Sequence, residues 1–307
     1  MPHVRSALLK SPILLVLAAL AACDRGTPVV KRDSVSATIT ERTKEGAPAP
    51  TPQSVWNDSA GPVLLVAGET GGDAIVVLPS EADSAVTLAR VANTKTDALL
   101  FGRSGTQSTG RLGAVSTSSD AECRAYAMQR AQGMTAWTVG FLGRSVGPIV
   151  LDSLESASPR DSTALTTEAA RLGSSVTAVT SPSFDGLRFT VHEVRRFEAR
   201  PGVQALVAHI IRRVNQEANP QEEQTLIVAE RDSGVTSGPY RLVYADRTHG
   251  LEDQVVAPEV LAAVLIGGVP TLVVARDSDA GVAYELLERD ATRHWRVRWI
   301  SAPTRCG

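Results

Sequence analysis

The chain has 307 residues, 43% of them hydrophobic, and carries 31 Lys and Arg against 33 Asp and Glu. That is enough apolar material for one large core or two small ones, and it excludes a disordered chain. The near balance of charge excludes a bulk basic field of the kind that draws nucleic acid or anionic lipid.

The first element is a short positive head, His3, Arg5 and Lys10, followed by a run from Pro12 to Ala22 that is apolar except for the proline. A helix that crosses a bilayer needs about 20 apolar residues. This shorter run has the length of the apolar region of an export signal. It ends in "LAAC", Leu20 to Cys23. The segment resembles the lipobox of bacterial lipoproteins. Over these first 23 residues the resemblance implies a signal peptide at 1–22, cleavage before Cys23 and lipid on Cys23. It also implies export and anchoring to the cell envelope, in the inner or outer membrane, with the globular part in the periplasm or outside. Contact with the membrane is then made by acyl chains, and stable anchoring takes more than one. Loss of Arg5 and Lys10 with the leader moves the net charge from −2 to −4. If Cys23 is lipidated, Cys123 and Cys306 remain, an even pair in an exported protein, which is expected to form a disulfide. Closing a loop of about 180 residues is worth roughly 5 kcal/mol in the chain-entropy model and pins the C-terminus. The alternative is two buried free thiols.

Residues 23–54 are poor in bulky apolar side chains and end in an Ala-Pro-Thr-Pro tract, the composition of an extended, disordered linker behind the lipidated cysteine. An N-terminal β region is expected over 55–157. Two Val/Ile/Leu-rich runs around "GETGGD" between Pro62 and Pro79 predict a hairpin, and Thr135 to Leu142 predicts a strand. Phe101 to Gly113 is Gly-rich without a phosphate-loop ending and is expected to be a loop. Ala121 to Gly133 has helix-forming composition among strand neighbours, so helix and strand both stay open. A helix is expected over 158–174. Ser158 caps it, Pro159 and Asp161 suit its first turn, Leu165, Ala169 and Leu172 share a face, and Gly173 takes the left-handed C-terminal position.

Residues 185–307 turn to period-two patterning and contain a repeat. "TLIVAERDSGVTSGPYRLVYAD" (Thr225 to Asp246) matches "TLVVARDSDAGVAYELLERD" (Thr271 to Asp290), and the apolar runs Ala205 to Ile211 and Val260 to Ile266 precede the two copies. In "RHWRVRWI" alternation puts Trp295, Val297 and Trp299 on one face and His294, Arg296 and Arg298 on the other, where Glu285 is the expected partner. The repeat resembles degenerate FG-GAP or VCBS-type β repeats. That resemblance implies topology. The family's Asp-rich calcium loop would fall at "RRVNQEANPQEEQ" and "GGVP", which contain no Asp. The expected fold is mainly β, with antiparallel strand-turn-strand modules in a propeller-like or two-sheet assembly and one or two short helices.

"GRSVG", Gly143 to Gly147, matches the nucleophile motif G-x-S-x-G. A serine hydrolase using it would take Ser145, with Asp246 or Asp279 as the acid and His249 or His294 as the base. Pro148-Ile149-Val150 is poor material for the helix that must follow, so a turn between strands is expected. "DSDAG", Asp277 to Gly281, lacks the further ligands of a calcium loop and reads as a hairpin turn. The five histidines show no zinc spacing, so neither metal nor cofactor is expected. The long polar turn Arg212 to Gln224 is the candidate contact surface, through Arg212, Asn215, Gln216, Glu217, Asn219 and Gln221. The chain is therefore expected to be a cell-envelope lipoprotein that binds or scaffolds without catalysis. Its partners would be the membrane, through the lipid anchor, and an envelope protein, with no nucleic acid. A serine hydrolase and a purely structural envelope subunit are the alternatives.

Overall fold

The computed structural model describes residues 38–41, 63–68, 72–77, 97–116, 125–130, 136–142, 146–153, 157–176, 181–214, 220–233 and 238–306. The leader, Cys23, Cys123, Ser145, Asn215, Gln216, Glu217 and Asn219 lie outside the described residues.

Six strands close into a small barrel: β2 (Val63–Ala67), β3 (Asp73–Val76), β4 (Asp97–Phe101), β5 (Gln107–Val115), β6 (Ala125–Arg130) and β7 (Val139–Leu142), in the order β2-β3-β6-β5-β4-β7. Strict alternation builds two cores from them. Val63, Leu65, Ala74, Val76, Leu100 and Trp137 fill the inside. Leu64, Val66, Ile75, Val139 and Phe141 point out and are buried as well.

The C-terminal half is two antiparallel meanders. The first is β10 (Thr190–Arg200), β11 (Val203–Val214), β12 (Gln221–Asp232) and β13 (Arg241–Leu251), with the two-residue β9 (Asp152–Ser153) beside β10. At its other edge β1 (Thr38–Glu41), drawn from the stretch expected to be linker, runs parallel to β13 with Thr38 opposite Tyr244. The second is β14 (Ala257–Ile266), β15 (Val269–Ser278), β16 (Gly281–Ala291) and β17 (His294–Ile300), with β8 (Val146–Ile149) beside β14. The two sheets pack face to face through Val207, Leu226, Val228, Val260, Leu272 and Val274. On the outer side of the first sheet lies helix α1 (Pro159–Ser174), which seats Leu165, Ala169 and Leu172 on Leu206, Ile210 and Ile227. Against the outer side of the second sheet lies the barrel. The layers are helix, sheet, sheet, barrel, so the central strands are buried on both faces. That is why "ALVAHII" and "TLIVA" read as continuous apolar runs rather than alternating ones.

The mainly β, antiparallel expectation holds, in its two-sheet form, and the closed barrel is an addition to it. Several local expectations change. Within the open stretch 121–133, Ala125–Arg130 forms strand β6, flanked by β3 and β5. The Gly-rich stretch is a hairpin, not a loop: β5 pairs with β4 across the Gly102 to Thr106 turn. A Cβ at Gly110 would lie 2.6 Å from Met128 Sδ and 2.7 Å from Leu100 Cδ1, so a larger residue there requires those two side-chain ends to shift. Ser158 does cap α1, accepting from Asp161 N at 3.2 Å. Gly173, however, sits inside the helix rather than beyond it, where a Cβ would press on Ile210 Cδ1. In β17 a bulge opposite Leu286 and Leu287 breaks the alternation. Trp295 therefore packs between the sheets while Trp299 packs toward the barrel. Arg296 and Arg298 pair with Glu288, and Arg296 also with Asp290, instead of with Glu285.

Candidate functional site: a cleft where barrel and sandwich meet

The long polar turn is mostly strand. Arg212 lies opposite Glu223, Arg213 opposite Glu222 and Val214 opposite Gln221, so the hairpin continues through both ends of the stretch. Opposite charges directly across a ladder favour that register. Arg212 faces inward. Its guanidinium binds Glu223 at 2.8 and 2.9 Å and the Phe184 carbonyl at 2.9 Å, 4.7 Å from the Phe189 ring centroid. Gln221 is half-buried at the start of β12.

Among the described residues, the acid and base candidates of the hydrolase reading are each engaged elsewhere, and Ser145 lies outside the described residues. Val146, next to Ser145, begins strand β8 opposite Ile266 rather than a helix. β8 and β17, which starts at His294, are the two edges of the second sheet. Four strand spacings of about 4.8 Å separate them by roughly 19 Å. His294 pairs with Asp290. His249 belongs to the other sheet and meets the Phe184 ring edge-on at 6.3 Å. Asp246 is buried against Arg276 at 2.7 Å, and Asp279 occupies the β15–β16 turn.

The structure instead presents a cleft of about 1110 Å³ at the junction of barrel and sandwich. One wall is the β4–β5 turn with Arg103, Ser104 and Thr106. A second is the β9–β10 edge with Ser153, His192, Glu193 and Arg195. Behind them lie His209 of β11, Glu259 of β14 and Asp277 of β15. Arg103 pairs with Glu259 across the mouth. Thr138 Oγ1 lies 3.2 Å from the Phe101 carbonyl and 3.0 Å from that of Leu261, tying the barrel to the sandwich at the floor. Arg195 pairs with Glu193 at 2.5 Å.

His209 is 5% exposed, and burial pulls its pKa down to about 4, so it is neutral near pH 7. Its tautomer is fixed from behind. Glu222, paired with Arg213, accepts from Gln224 Nε2 at 2.5 Å. Gln224 Oε1 therefore faces His209 Nε2 as an acceptor, and Nε2 must carry the proton. Nδ1 is left with a lone pair. Opposite it the ladder slips. Val191 pairs with Ile210 and Glu193 with His209, so His192 is the extra residue of a bulge. The His192 and His209 rings meet edge to face, 5.0 Å between centroids.

Between the sheets, Arg276 is 3% exposed and held by Asp246 and by Glu285 at 3.0 and 3.2 Å. Burial opposes its charge, Glu285 and Asp246 outweigh burial, and its pKa is raised. Among the described residues no group of three or more His, Cys, Asp or Glu side chains is placed to hold a metal ion. The cleft is not visible in the sequence, because its residues come from seven separate stretches and His192 reaches it only through a bulge. The mirrored Arg-Arg and Glu-Glu pairs around 212–223 were the available signal for the long hairpin. Comparisons with models of known protein families, with curated proteins and with solved structures find no match.

Proposed function

We propose that the protein is an exported, lipid-anchored envelope protein whose β body is a non-catalytic binding module, with the cleft as its binding site. The observation that carries this reading is the cleft's construction. A large concave opening with a few convergent polar groups is the usual form of a ligand site. Here its walls are sheet strands and one tight hairpin turn, β4–β5, rather than long loops. A photo-crosslinker at Ser104, exposed on the lip, is expected to give a discrete adduct in intact cells. The same group at Leu187, exposed elsewhere, should give none. Equal yields from both sites overturn the reading. Fluorophosphonate labelling that Ser145→Ala removes would establish the hydrolase instead. The anchor is tested separately: Cys23→Ser should stay uncleaved and take no palmitate label, and labelling equal to wild type overturns it.

The same reading assigns Cys123 as the partner of Cys306. Cys306 is disulfide-bonded and is buried in the cluster that holds Ala125. Non-reducing peptide mapping should recover the two cysteine peptides linked, and recovery of Cys123 as a free thiol overturns the assignment.

A further inference from the structure

We propose that His192 and His209 form an open two-imidazole site in the cleft for a borderline divalent transition metal ion, copper(II) or zinc(II). This rests on the cleft being a ligand site, and it names the ligand's chemistry. Three independent features of the site converge on it.

The first is the relay behind His209. Imidazoles that ligate metals commonly donate their other ring N–H to a polar group, which fixes the tautomer and turns the free lone pair to the ion. Here Nε2–H is committed to Gln224, and Gln224 is committed to the buried Glu222. Such a chain of buried polar groups is costly unless every member is satisfied. It serves one ring, and that ring lines a solvent-reached cleft.

The second is the bulge. In a regular ladder one residue of β10 would oppose His209. The slip between Val191 and Glu193 sets both His192 and Glu193 against it. Bulges that re-aim a side chain recur beside functional sites.

The third is the separation. With metal–nitrogen bonds of about 2.0–2.1 Å and tetrahedral angles, two imidazoles on one ion hold their ring centroids about 5.2 Å apart. These two stand 5.0 Å apart, edge to face, a spacing that one shared ion can bridge and that ordinary ring packing also gives. Glu193 and Glu259 line the same cleft but are held by Arg195 and Arg103, so the protein supplies the two imidazoles alone. Two protein ligands leave the remaining coordination positions to water or to a donor atom of a bound molecule. Imidazole donors favour copper over zinc in the general affinity order.

The test is titration of copper sulfate and zinc sulfate into the purified full-length protein, followed by calorimetry and by the copper EPR spectrum. Wild type should bind one equivalent of copper, more tightly than zinc, with hyperfine coupling to two nitrogens. His192→Ala removes an exposed side chain at the bulge. It should weaken copper binding at least tenfold and leave one coupled nitrogen. Gln224→Leu keeps both rings but frees the tautomer, and should weaken binding about 10- to 100-fold. His294→Ala, at the far edge of the second sheet, should bind as wild type. The absence of a saturable copper site, or a site that His192→Ala leaves intact, overturns the proposal. The Ser104 crosslink reads the cleft without metal. An adduct that persists while copper fails to bind rejects the metal and leaves the binding reading standing. A copper site that is sensitive to His192→Ala but without any adduct does the reverse.

Discussion

The two halves of the sandwich carry the same strand motif with opposite charge at its end. Thr225 to Ala229 runs into Glu230, and Thr271 to Ala275 runs into Arg276. Both end residues are buried, and each reaches into the other sheet. Glu230 binds Arg289 at 2.6 and 2.9 Å and accepts from Trp295 Nε1 at 2.6 Å. Arg276 binds Asp246 at 2.7 Å and adds Glu285 of its own sheet. The apolar pattern makes each half a sheet. The charges make the pair heterotypic, because a sandwich of two first halves or two second halves would lack the counter-charges. Buried ion pairs add little net stability over a hydrophobic replacement, yet removing one partner is severe. Their effect here is on which sheet faces which.

Breaking the crossed pairs should give the largest effects. Arg276→Met strands two buried carboxylates and is expected to cost about 3–5 kcal/mol in urea unfolding. Glu230→Met strands Arg289 and should cost nearly as much, about 3 kcal/mol, whereas Glu230→Met with Arg289→Met should recover most of the loss. A double variant as unstable as the single one would show that the crossed pairing does not link the halves. The covers of the two halves can be tested next. Gly173→Ala brings a methyl against the end of the Ile210 side chain under the helix; the overpacking cost is opposed by a helix-propensity gain of about 1 kcal/mol, so the net loss should be about 1 kcal/mol. The helix is also held by Glu168, which takes Arg171 at 2.7 Å and the Tyr240 N–H at 3.1 Å. The Arg171 hydrogen bonds hold its carboxyl below the usual value against a smaller burial effect. Its folded pKa is thus depressed. The stabilisation is full above the unfolded value near 4.5 and is lost as pH falls through the lower folded value. The protection factor of the Tyr240 amide, corrected for the intrinsic pH dependence of exchange, should fall in that acid range, and Glu168→Gln should remove that change. The smallest effect belongs to the exposed Arg103–Glu259 pair, where Glu259→Gln should shift stability by about 1 kcal/mol or less.

What the sequence revealed follows the range of the interactions involved. The Pro62–Pro79 hairpin, the capped helix and the C-terminal strands are decided by neighbours in the chain, and they appear where the pattern puts them. The barrel is decided by β2 meeting β7 and β3 meeting β6, and no local pattern encodes those pairings. The repeat identifies equivalent strands, and Thr225 and Thr271 do sit opposite Ile210 and Val264 in their sheets. It misleads on register further along. Tyr240 precedes β13, whereas Tyr284 lies inside β16 opposite Ala275. Bulges in β12–β13, β14 and β17 absorb such offsets, and single-residue slips that exchange faces are invisible to alternation. The cleft was illegible for the same reason, since one of its histidines stands on a bulge.

The outward face of the barrel sets an order of events. Leu64, Val66, Ile75 and Phe141 all lie in strands completed by residue 142, and the side chains that cover them come from Leu261 to Trp299. Chains emerge from the N-terminus, and early domains fold as units. The barrel therefore closes with an apolar flank still open to solvent, and it keeps that flank until β14 to β17 arrive. During that interval the half-made protein is a surface that other chains can stick to. Any truncation after β13 makes the interval permanent.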